Sequence, residues 1–110
     1  VIDAYRAPFP TPASRLALLC WSRDIPNHVA DPSYAVMRQI ESDLVQFAST
    51  PVLLLWGMRD PVLGLPVLHQ WQEVFPQAKT HVVEDASHFV PEDAPERLVV
   101  WIETFLAAHP

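Results

Sequence analysis

The spacing of apolar residues along the 110-residue chain changes period several times, and each change marks an element. From Ser33 onward, Met37, Ile40, Leu44 and Phe47 recur at spacings of three and four, the period of one helix face. Ser33 is placed to cap that helix and Pro51 follows its end. The next segment, PVLLLWG, is a continuous apolar run bounded by Pro51 and Gly57. It is too short for a buried helix and predicts a parallel strand covered on both faces. Val67, Leu68, Trp71, Val74 and Phe75 resume helical spacing until Pro76 ends it. Residues 79–84, with Thr80, Val82 and Val83, read as a second strand because β-branched side chains fit a pleated surface. Leu98, Trp101, Ile102, Phe105 and Leu106 form a last helical stripe, with Asp93 and Glu96 spaced as a capping box and Pro95 in the first turn. Residues 15–21 are an apolar stretch whose length fits a helix or a strand equally.

The order helix, strand, helix, strand, helix predicts an α/β fold, since two strands separated by a helix make a right-handed parallel βαβ unit. A strand apolar on both faces needs neighbours on its faces and edges, so PVLLLWG predicts sheet partners beyond those visible here. Residues 1–32 are proline-rich and read as a connecting region, whereas residues 33–110 carry the sheet and its helices. The chain opens at Val1 with a segment too polar and proline-rich for a signal peptide or a membrane span, and it is expected to be cut from a longer protein.

Composition narrows the function classes. Seven basic against thirteen acidic residues give a net charge of −6 with no clustered Lys/Arg face, which argues against a nucleic-acid partner. Cys20 is the only cysteine, so no internal disulfide forms; it is expected to be a small buried hydrophobe, and a cytoplasmic setting is expected with it.

In open parallel sheets, function collects in loops after the carboxyl ends of the strands. Those loops are Met58-Arg59-Asp60 and Asp85-Ala86-Ser87-His88. Adjacent strands lie roughly 4.8 Å apart, so short loops leaving one rim can bring a carboxylate onto an imidazole. Such a carboxylate fixes the tautomer of the histidine and leaves its other nitrogen as a base. Taken singly, Asp60 before Pro61 also fits a turn former, and His88 fits a surface or capping residue. His28, His69, His81 and His109 lack such a partner and show no metal-ligand spacing, so neither a metal nor a cofactor is expected. The two glycines, Gly57 and Gly64, flank no Ser, Cys or Asp in the form a nucleophile elbow requires. A nucleophile is therefore expected upstream of this chain, or the chain is a non-catalytic module.

WGMRDPVLG after an apolar strand, then His88 within DASHFVPEDAPE 28 residues beyond Asp60, then an amphipathic helix, resembles the last two βα units of the α/β-hydrolase fold. AYRAPFP and SRDIP resemble the stretch joining cap to core in haloalkane dehalogenases and their relatives, which include epoxide hydrolases and β-lactone decarboxylases. Tyr5, Arg6 and Pro8 favour the dehalogenase side. The resemblance implies that residues 1–32 connect cap to core and that residues 33–110 are the C-terminal βαβα portion of the hydrolase core. It implies Asp60 as triad acid and His88 as the base that activates water against a covalent enzyme ester, with an upstream aspartate as nucleophile. The implied partners are a small apolar substrate, water and the remainder of the fold; Trp56 and Phe89 suit an apolar pocket but suit core packing as well. An epoxide or ester hydrolase or a β-lactone decarboxylase on the same scaffold is the alternative, as is a non-catalytic fragment. Ser87 stands where the family has glycine before the histidine, so a tighter loop or a re-aimed histidine is expected.

Overall fold

The computed structural model describes residues 1–110, which divide into two compact units, Val1–Asp43 and Leu44–Pro110. The first holds helices α1 (Ile2–Arg6), α2 (Leu16–Arg23) and α3 (Tyr34–Asp43), with a 3₁₀ turn at Ala13–Arg15 before α2. Thr11 and Ser14 start that turn by accepting each other's backbone N–H at their hydroxyl oxygens, at 3.2 and 3.1 Å. The ambiguous stretch at residues 15–21 is thus helical. Leu16, Leu18, Leu19 and Trp21 surround the α2 axis, and a helix apolar all round needs burial on every side. This unit supplies none: none of its residues is buried, and Trp21 is 77% exposed. Cys20 is likewise exposed, contrary to the expectation of a buried hydrophobe. Ser33 precedes α3 as expected, but only its carbonyl serves the helix, accepting Met37 N–H at 3.0 Å. Its hydroxyl donates to the Asp24 carbonyl instead.

The second unit opens with a 3₁₀ turn at Leu44–Phe47, so the periodic pattern that predicted one helix to Phe47 tightens after Asp43. Strand β1 (Leu53–Gly57), helix α4 (Leu65–Val74), strand β2 (Lys79–Val83), the short helix α5 (Val90–Asp93) and helix α6 (Pro95–Ala108) follow. The strands pair in parallel from Leu53 opposite Lys79 to Gly57 opposite Val83, so both chains leave the sheet at the same rim. This is the predicted βαβα order of an α/β fold.

Val83, Ala86, Val90, Ala94 and Leu98 form one buried cluster, with Leu55 and Trp101 packed against it. The cluster therefore runs from the end of β2, through the loop carrying His88, into α6. Leu54, Leu68 and Phe75 are also buried, and Trp71 stacks on Phe75 at 6.0 Å between ring centres. In β1 only Leu54 and Gly57 are buried; the sheet has two strands, so the expected cover on both faces is incomplete within the unit.

Candidate active site

Asp60 and His88 meet above the shared rim of the sheet. Because Gly57 and Val83 are register partners, the loops leaving them start side by side. Met58 N–H then donates to the Val83 carbonyl and Arg59 N–H to the Ala86 carbonyl, both at 2.9 Å, which zips the two loops together beyond the strands. One residue later, His88 Nδ1 lies 2.8 Å from Asp60 Oδ2. The other carboxylate oxygen accepts the backbone N–H groups of Val62 at 2.8 Å and Leu63 at 2.9 Å. The turn-forming role open to an Asp before Pro61 and the histidine-holding role are thus performed together, one by each oxygen.

The two side chains differ in exposure: 7% for Asp60 and 42% for His88. Burial pushes the Asp60 carboxyl upward, but the Leu63 N–H, the His88 ring and the Val62 N–H outweigh it and hold the group below its ordinary 3.8. Asp60 is therefore an anion at neutral pH, and an anion at Nδ1 favours the imidazole form protonated there. Nε2 is then the free base. Beside the pair, Leu55, Trp56, Gly57, Leu63 and Val90 line an open recess of about 120 Å³. Phe89 stands edge-on to the His88 ring at 5.3 Å. A recess with one anion-imidazole pair is able to move a proton.

Three supports of this site carry no obvious sequence signal. A Cβ on Gly57 would lie 2.1 Å from the Ser87 carbonyl oxygen and 2.8 Å from that of Ala86, so only glycine lets the histidine loop close over β1. Trp56 Nε1 donates to the Leu63 carbonyl at 2.7 Å, pinning the far end of the Asp60 turn. Asp85 pairs with Arg97 on α6 at 2.7 Å, and this bond holds its carboxyl below the ordinary 3.8. A glycine at a strand end, in a chain with two glycines, was the one available hint.

The expected capping box is not formed. No side chain caps α6, whose cap position is Ala94, and Asp93 instead accepts the Ser87 backbone N–H at 2.7 Å. The break at Ala94, between α5 and α6, moves Asp93 back onto α5 and out of capping register. Ser87 needs none of glycine's conformational freedom, since no residue has a positive φ, and its hydroxyl reaches the Arg59 carbonyl at 3.4 Å. Of the remaining histidines, His81 stacks on Trp101 at 4.4 Å and His109 Nδ1 lies 2.8 Å from the Phe105 carbonyl. No cluster of three or more His, Cys, Asp or Glu side chains could hold a metal ion. No helix is long and apolar enough to cross a membrane.

A family profile described as the alpha/beta hydrolase fold matches residues 5–95. Cis-3-alkyl-4-alkyloxetan-2-one decarboxylases of Shewanella oneidensis and Xanthomonas campestris pv. campestris are similar to the chain, at 35% and 33% identity. These matches cover 94% and 97% of this chain but 33% and 36% of the relatives. A haloalkane dehalogenase of Mycolicibacterium paratuberculosis is 28% identical, over 93% of this chain and 35% of its own length. The chain thus spans about a third of the length of the curated relatives it matches.

Proposed function

Because the chain belongs to the α/β-hydrolase fold family, we propose that Asp60 and His88 are the acid and base of its reaction. The observation that carries this reading is the 2.8 Å contact between a carboxylate whose side chain is little exposed and an imidazole on the neighbouring loop. Asp60 accepts the hydrogen bond from Nδ1–H, fixes the ring and stabilises the imidazolium; Nε2 takes a proton from water. The nucleophile belongs to a part of the fold outside these residues, as does the remainder of the sheet. With a carboxylate nucleophile, attack on an apolar electrophile expels the leaving group and forms an ester. Water then adds to the ester carbonyl as its proton passes to His88. The alkyl oxygen leaves with that proton, and the carboxylate is restored. Residues 1–32 are the connection from cap to core and residues 33–110 the C-terminal part of the core. A small apolar substrate, water and a cytoplasmic setting complete the proposal; the unpaired Cys20 suits a reducing compartment.

The residues near Tyr5 lean toward haloalkanes, but identities of 35% and 33% against 28% favour the second reading, a strained four-membered lactone that loses carbon dioxide. The same pair would serve there, since ring opening also needs a positioned acid and base. The test uses the polypeptide that joins this chain to its nucleophile. Halide release from a haloalkane and alkene release from a cis-3,4-dialkyloxetan-2-one are measured side by side. His88→Gln is expected to lower the productive reaction about 10²- to 10⁴-fold. Unaltered turnover in that variant refutes the assignment, and no turnover of any such substrate by the intact protein leaves the non-catalytic reading.

A further inference from the structure

The residues flanking His88 are tied to one short segment on both sides. Before it, Ser87 N–H donates to Asp93 Oδ2 at 2.7 Å. After it, the Phe89 carbonyl accepts the backbone N–H groups of Glu92 at 2.9 Å and Asp93 at 3.1 Å. Asp93 therefore closes a ring around the histidine, giving its side chain to one neighbour and its amide to the other. The segment is anchored below by Val90 and Ala94, which are 7% and 3% exposed and belong to the buried cluster. The bonding of Asp93 is also selective. Its position in the sequence suits helix capping, yet α6 has no side-chain cap and the carboxylate goes to the histidine loop instead. Asp93 is exposed, and at 2.7 Å its charged oxygen makes a shorter, stronger bond to a backbone N–H than a neutral acceptor would.

We propose that Asp93 is a positioning residue for His88, holding the Ser87 amide so that the imidazole presents Nδ1 to Asp60. The proposal rests on the reading of Asp60 and His88 as acid and base. With Asp93 in place, Ser87 is held from three directions: its N–H by Asp93, its carbonyl against Gly57, and its hydroxyl toward the Arg59 carbonyl. Without Asp93 the first hold is lost, and His88, only one residue away and 42% exposed on its side chain, gains rotational freedom relative to Asp60.

The experiment reads the protonation site of the ring in the ¹³C,¹⁵N-labelled full chain at mildly alkaline pH, by long-range ¹H–¹⁵N spectra. The wild type is expected to show His88 protonated at Nδ1, and a scalar coupling across the bond between Ser87 N–H and the Asp93 side-chain carboxyl carbon. Asp93→Ala is expected to return His88 to the mixed tautomers of free imidazole and to speed Ser87 amide exchange on the order of tenfold. Asp93→Asn, whose amide oxygen still accepts, is expected to restore the Nδ1–H form. A folded Asp93→Ala with lowered melting temperature but wild-type His88 tautomer overturns the proposal. Where Asp93→Ala does not fold, absence of the coupling in the wild type overturns it. If the wild type itself lacks the Nδ1–H form, the acid-base reading has failed first, and the two failures are told apart.

Discussion

Replacing Gly57 by alanine tests how closely the site depends on backbone packing. The added Cβ would stand 2.1 Å from the Ser87 carbonyl oxygen, where ordinary contact begins at 3.4 Å. One of the two backbones must retreat by about 1.3 Å, the gap between these distances. The obstacle is main chain, not the tip of a flexible side chain, so the strain cannot be relieved by a rotamer change. Overpacking of this kind costs about 1–3 kcal/mol. The retreat also moves the residue next to His88, and a shift of that size carries the 2.8 Å contact with Asp60 beyond hydrogen-bond range. Urea unfolding reads the first effect, and the Nδ1 proton resonance of His88 reads the second. Gly64→Ala is the control, because its nearest neighbours lie 3.7 Å away. It is expected to cost under about 1 kcal/mol, through its place at the start of α4, and to leave the His88 signal in place. A Gly57→Ala protein with wild-type urea midpoint and undiminished Nδ1 proton signal refutes the reasoning.

Other substitutions address the frame around the site. Leu68 is 2% exposed, so Leu68→Ala is expected to cost about 2–4 kcal/mol in urea unfolding; a loss below about 1 kcal/mol shows that α4 is not anchored there. Trp56→Phe removes the indole donor to the Leu63 carbonyl and is expected to cost about 1 kcal/mol with faster amide exchange at Leu63; unchanged exchange removes the pinning role of Trp56. Burial and the nearby Lys79 charge hold His81 below its ordinary 6.5, and its Nε2 is buried without a partner. The unfolded chain therefore binds a proton that the folded one resists: the contribution of His81 to stability is complete above 6.5 and is lost as pH falls below it. His81→Phe keeps a ring against Trp101 and removes the titration, so its stability relative to wild type is expected to rise from about pH 7 to about pH 5 in paired urea series. A constant difference contradicts this.

Most of the second unit was legible from the sequence because its signals are local. The apolar run ending at Gly57 is a strand, the stripe from Leu98 to Leu106 lies on one helix, and Asp60 and His88 follow two consecutive strands. The Asp60–His88 contact spans 28 positions, yet it was legible because parallel register alone brings both loops to one rim. What escaped depends on contacts distant in sequence. The need for glycine at Gly57 arises from the Ser87 carbonyl thirty positions on. The assignment of Asp93 to α6 failed because a break at Ala94 is invisible to a spacing rule, and the carboxylate found a backbone donor six positions earlier. Cys20 was misjudged because the composition of LALLCW says apolar but not whether anything lies against it.

The state of the His88 ring in the folded chain tests the account most directly. Asp60 as an anionic acceptor requires the proton of neutral His88 to sit on Nδ1. In Asp60→Asn the turn bonds to Val62 and Leu63 can persist through the side-chain oxygen, but the amide now presents a donor to the ring. Long-range ¹H–¹⁵N spectra are expected to show Nδ1–H in the wild type and Nε2–H in Asp60→Asn. A wild-type ring protonated at Nε2, or one whose tautomer ignores the Asp60 substitution, contradicts the account.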